Sequence, residues 1–114
     1  MIMMMHKLVR DKIPDIIKEN DQVPIVSVVS DVYTHMQYLV NKLNEEGLEF
    51  LEAYHEKTKD DQTEELCDIF EILKTLCVLS DIEIDEVWSY SEEKKNIRGS
   101  FIKGYILHEV KDSS

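Results

Sequence analysis

Leu43-Asn44-Glu45-Glu46-Gly47-Leu48-Glu49-Phe50 and Glu64-Glu65-Leu66-Cys67-Asp68-Ile69-Phe70 are the two halves of the stretch that decides the fold. Each half holds a pair of carboxylates three residues apart, Glu46 with Glu49 and Glu65 with Asp68. On a helix such pairs share a face, because three residues advance about 300° around the axis. Apolar residues surround them: Leu39, Leu43 and Phe50 share a stripe with Glu46, and Leu66, Ile69, Phe70, Ile72, Leu73, Leu76, Cys77 and Leu79 flank Asp68. The second segment is apolar on nearly every side, which predicts a largely buried helix. The polar run His55 to Gln62 between the halves predicts a helix-to-helix connection.

Carboxylates at an apolar seam are costly unless paired or bound to metal. Neither acidic cluster contains a Lys or Arg; Lys42 and Lys74 are the nearest. Oxygen-only donors suit a hard ion, Mg²⁺ or Mn²⁺, better than zinc. On spacing alone the same residues also read as solvated acids on two surface helices. Both readings stand at this point.

Composition narrows the class. With 114 residues, the chain reads as one domain spanning 1–114. A hydrophobic content of 43% with three Gly and two Pro predicts a compact, mainly helical fold. A net charge of −11 argues against a nucleic-acid polymer and against an anionic membrane surface as partners. A small polyphosphate remains compatible, since bound metal ions reverse the local sign. Cys67 and Cys77 fall on one helix, about 15 Å apart along its axis. That is too far for a disulfide, so both read as reduced core residues of a cytoplasmic protein. The apolar start Met1–Met5 is too short for a signal peptide or a membrane span.

Taken in order, the chain predicts four helices and one small ribbon. Pro14 suits the first turn of a helix from about Ile13 to Asn20, with Asp11 as its cap and Ile13, Ile16 and Ile17 as its inner stripe. Lys7, Arg10 and Lys12 before it are either a solvated basic turn or a phosphate-binding arm. Pro24 to Val29 is short and β-branched and reads as a strand. A strand needs a partner, and Phe101 to Val110 is the best candidate, giving a two-stranded β ribbon that joins the two ends of the chain. Ser30 or Asp31 caps a long second helix to about Tyr54. Gly47 within it costs about 1 kcal/mol relative to Ala, which fits close approach by a ligand or a neighbouring helix, or a neutral accident. A third helix runs from about Gln62 to Leu79 and a fourth from about Asp85 to Ile97. Lys94 and Arg98 share a face near Gly99, where cations also favour the helix dipole. Trp88, Tyr90 and Tyr105 read as packing residues. Glu52-x-x-His55 supplies one element of a di-iron carboxylate site, but that site type needs two, and His55 reads as an exposed residue near a helix end.

Four pieces occur in one order: Lys7-Leu8-Val9-Arg10-Asp11-Lys12-Ile13-Pro14, Glu45-Glu46-x-x-Glu49, Glu65-x-x-Asp68 and Lys94-Lys95-x-x-Arg98-Gly99-x-Phe101. That order resembles the all-α nucleoside triphosphate pyrophosphohydrolases, the superfamily of MazG-like proteins and phosphoribosyl-ATP pyrophosphohydrolases. Ser100 departs from the second glycine expected in that terminal piece. The resemblance implies a four-helix all-α bundle, assembled as a homodimer or higher homo-oligomer. It implies Mg²⁺-dependent cleavage of the α–β phosphoanhydride of a nucleoside triphosphate, giving nucleoside monophosphate and pyrophosphate as nucleotide-pool housekeeping. Carried residue by residue, Glu46, Glu49, Glu65 and Asp68 would bind metal, and Glu45 would be a further ligand or orient the attacking water. Lys94, Lys95 and Arg98 would hold phosphates, with Lys7, Arg10 and Lys12 as helpers. The alternative is a non-catalytic nucleotide-sensing or regulatory protein on the same bundle.

Overall fold

A helical hairpin carries both acidic clusters, and its turn is set by two side chains. The computed structural model describes residues 6–56 and 58–113. Met1–Met5, and Lys57 in the connection, lie outside the described residues. Four helices follow in order: α1 (Ile13–Glu19), α2 (Val32–Glu56), α3 (Lys59–Leu79) and α4 (Ile84–Arg98). The described residues divide into a compact unit ending at Asp81 and a second beginning at Ile82.

α1 begins at Ile13 with Pro14 in its first turn, where a missing N–H costs nothing. Lys12, not Asp11, occupies the capping position, and no side chain caps the helix. Of the three isoleucines, Ile13 and Ile17 are half-buried and Ile16 is exposed. Asp21, in a left-handed conformation (φ +59°), turns the chain out of the helix.

Asp31 caps α2, as the sequence predicts. Its carboxylate accepts from the Thr34 N–H at 2.8 Å and from the Thr34 hydroxyl at 2.9 Å. α3 starts three residues earlier than its apolar pattern suggests, because Thr58 and Asp61 form a capping box. The Asp61 N–H donates to Thr58 Oγ1 at 3.3 Å, and the Thr58 N–H donates to Asp61 Oδ2 at 3.2 Å. Only residues 57 and 58 therefore separate the two helices, so they must run antiparallel.

The seam between them has a heptad-like step. On α2 the inner line is Leu39, Leu43, Glu46, Phe50 and Ala53; on α3 it is Glu65, Ile69, Ile72, Leu76 and Leu79. Leu39, Ala53 and Ile72 are buried. On α3 the buried residues are Ile72 on that line and Cys77 beside it. Leu66, Phe70 and Leu73 on its other flank are exposed, so the expectation of a helix buried on nearly every side is corrected. Cys77 is buried, but Cys67 is exposed and is not a core residue; both thiols are free. Gly47 is equally open: a Cβ placed there would meet no atom within 4 Å, so no protein group makes a close approach.

The ribbon is absent among the described residues. Neither Pro24–Val29 nor Phe101–Val110 is a strand; Ile25 is 97% exposed and Phe101 100%. β-branched side chains favour extended backbone, but a strand exists only through ladder bonds to a partner. The second segment instead opens with a turn, in which the Gly104 N–H (φ +67°) donates to the Phe101 carbonyl at 3.3 Å. In the second unit, Gly99 (φ +84°) ends α4. Trp88, Tyr90 and Tyr105 are exposed, contrary to their expected packing role. No helix among the described residues is long and apolar enough to cross a membrane.

Candidate metal and phosphate site

Two triads of carboxylates meet at the seam. Glu45, Glu46 and Glu49 each bring an oxygen within 4.8 Å of the others, and so do Glu46, Glu65 and Asp68. Glu46 belongs to both. It is also the one buried charged residue among those described, at 5% exposure, because it occupies a seam position where a leucine would otherwise sit. Burial holds its carboxyl above the usual carboxylate range, and the adjoining acids Glu65 and Asp68 push the same way. Glu49 is raised as well, first by burial and then by a shared hydrogen bond with Glu46 and that residue's charge.

Two cations reach the acids. Lys42, one turn before Glu46, places Nζ at 3.7 Å from Glu46 Oε1 and 3.9 Å from Glu45 Oε2. Arg10, from the segment before α1, donates from Nη2 to Asp68 Oδ1 at 2.6 Å and lies 3.9 Å from Glu71. The pair holds the Arg10 guanidinium more firmly protonated. A cluster without local cations, as the sequence suggests, is thus corrected in part. The Lys42–Glu46 contact was legible in the i, i+4 spacing. Arg10 and Asp68 are 58 positions apart, and no local pattern announces them.

What remains unneutralised is specific. Glu46 Oε2 and Glu65 Oε2 are buried and have no hydrogen-bond partner. Two orphaned carboxylate oxygens cost free energy unless something else binds them. The donor set is oxygen only, and shared by two adjoining triads, so these residues fit a hard divalent ion.

Beside the acids lies a cavity of about 850 Å³, within the range of small-molecule pockets. Lys7, Arg10, Lys12 and Lys42 line it together with Glu46 and Asp68. The sequence singles out the first three; it missed Lys42, and also His35 and Thr75, as lining residues. Lys94, Lys95 and Arg98 stand exposed on the last turns of α4, in the second unit.

A sequence model of the phosphoribosyl-ATP pyrophosphohydrolase family matches residues 8–95. The chain belongs to this family. The match runs from the segment before α1 through both acidic clusters to Lys95, and so takes in both units. Comparison with curated proteins and with solved structures gave no match. The phosphoribosyl-ATP pyrophosphohydrolase family is one of pyrophosphohydrolases acting on a nucleotide-like substrate, and the carboxylate seam is where this member can hold a metal ion.

Proposed function

We propose that this protein is a Mg²⁺-dependent nucleotide pyrophosphohydrolase that cleaves the α–β phosphoanhydride of a nucleoside triphosphate, with Mn²⁺ as an alternative ion. The observation that carries the reading is the pair of buried, unpartnered oxygens of Glu46 and Glu65 inside two touching carboxylate triads. Glu46, Glu49, Glu65 and Asp68 would hold the ion. When bound, a divalent ion supplies neutralisation of phosphate oxygens and a more acidic water.

The chain's own residues do the rest. Glu45, half-buried beside Glu46 and Glu49, orients the attacking water by accepting its hydrogen bond or joins the ligands. Lys7, Arg10 and Lys12, around the cavity, hold phosphate oxygens and spread the charge that builds on the departing pyrophosphate. Lys94, Lys95 and Arg98, exposed on α4, would be further phosphate-holding residues. The family match across both units supports one domain over 1–114. The exposed line Leu66, Phe70 and Leu73 supports a homodimer or higher oligomer, and two free thiols support a cytoplasmic setting.

Pyrophosphate release from a panel of ribo-, deoxyribo- and modified nucleoside triphosphates and phosphoribosyl-ATP, with Mg²⁺, Mn²⁺ or EDTA, tests the reading. Release from a subset, abolished by EDTA and by Glu49→Ala or Asp68→Ala in folded protein, is the expected result. Full turnover in both variants would remove those residues from the metal site. Nucleotide binding with no turnover anywhere on the panel would favour a sensing protein.

A further inference from the structure

The cavity beside the acids, at about 850 Å³, is lined by more than acids and cations. Besides its acids and cations, its lining includes Ile13 and Ile17 of α1, His35 and Leu39 of α2, and Ile72 and Thr75 of α3. His35 precedes Glu46 by eleven residues and Thr75 follows Asp68 by seven. Since α2 and α3 are antiparallel, both lie toward the same end of the hairpin, roughly 16 Å and 10 Å along their helices from the acids. That separation is comparable with the reach of a nucleoside from its α-phosphate.

We infer that this end of the cavity takes the base of the nucleotide, with His35 and Thr75 reading its edge. The inference rests on the nucleotide reading above and names the part of the substrate that reading leaves open. Four aliphatic side chains make walls suited to the two faces of a planar heteroaromatic ring, and Leu39 and Ile72 among them are buried. Such a ring brings polar atoms at its rim, and those need partners once water is excluded. His35 and Thr75 are the half-buried polar side chains at this end.

Thr75 also has a fixed polarity. Its hydroxyl donates to the Glu71 carbonyl at 2.9 Å, one turn earlier on α3. With its hydrogen committed, Oγ1 faces a ligand as an acceptor only. The base must therefore present an N–H, ring or exocyclic, to Thr75, while the His35 imidazole takes a neighbouring rim atom. A base whose rim offers only an acceptor at that point leaves Thr75 unpaired and is rejected.

The test separates this inference from turnover. Adenosine, guanosine, cytidine and uridine 5′-monophosphates, with ribose 5-phosphate as the baseless control, are titrated into the full-length protein in EDTA. The His35 ring resonance is followed by NMR, assigned by its loss in His35→Asn. At least one monophosphate is expected to shift that resonance and to bind more tightly than ribose 5-phosphate. Thr75→Val, which keeps the shape and removes the acceptor, should weaken that monophosphate about tenfold, the value of one hydrogen bond, and leave ribose 5-phosphate binding in place. An unmoved His35 resonance, or equal weakening of every ligand including ribose 5-phosphate, overturns the inference. Pyrophosphate release with a silent His35 leaves the hydrolase standing and removes the base site. Base-selective binding without pyrophosphate release keeps the base site and removes the hydrolase.

Discussion

Glu46 sits where the α2–α3 seam calls for an apolar residue, and burial raises its carboxyl; Glu49 is raised by its own burial and then by its contact with Glu46. Such a residue costs stability in the ion-free protein and is repaid when an ion binds. Glu49→Gln, which removes a charge from the crowded cluster, should therefore unfold in EDTA at the wild-type temperature or higher. It should also lose the rise in Tm that Mg²⁺ gives the wild type. Thermal scans with and without Mg²⁺ measure both; a large drop in EDTA would mean that the charge stabilises the ion-free protein.

Asp31 is the opposite case at the same scale. Hydrogen bonds from the Thr34 N–H and hydroxyl hold its carboxyl below the ordinary range. Its stabilisation is then present above the unfolded value, near pH 4, and lost as pH falls through the lowered one. Asp31→Ala should lower Tm at pH 7, and the gap from wild type should close in acid. A gap independent of pH would deny the cap its charge. The four acids were legible because i, i+3 spacing puts carboxylates on one helical face. The Arg10–Asp68 pair was not, because only tertiary structure brings residue 10 to residue 68.

The elements were legible where a local signal fixes them, and misread where a partner does. Apolar periodicity located α2, α3 and α4 within three residues at every end. The early start of α3 was written in Thr58-x-x-Asp61, a capping pattern that the surrounding polar run disguised as connection. Thr58→Ala should cost about 1 kcal/mol, readable as a shift of the urea midpoint, and no shift would mean the box does not hold the turn. The ribbon failed for a different reason. Val26 and Ile106 declare a preference for extended backbone, but no single sequence declares which segment they pair with. Helical bonds are local and strand bonds are not, so the error fell on the strands.

For the whole molecule, the balance of burial is telling. The seam buries Leu39, Ala53 and Ile72, while Leu66, Phe70 and Leu73 remain open on the flank of α3. The sequence could not divide the apolar residues of α3 between an inner seam and an outer line, because both follow helical spacing. The proposed oligomer would account for it by covering the outer line with a second copy. Sedimentation should show an assembly of two or more chains, and Phe70→Glu should shift it toward monomer by setting a charge on that line. A wild-type monomer at high concentration would contradict the assembly.

In the proposed function, the carboxylate seam of α2 and α3 serves metal-dependent cleavage between the α and β phosphates. ³¹P NMR of the products formed from nucleoside triphosphates, in Mg²⁺ and in EDTA, tests it most directly. Pyrophosphate and nucleoside monophosphate are expected in equal amounts with Mg²⁺ and neither in EDTA. Orthophosphate with nucleoside diphosphate, or cleavage undiminished by EDTA, would contradict it.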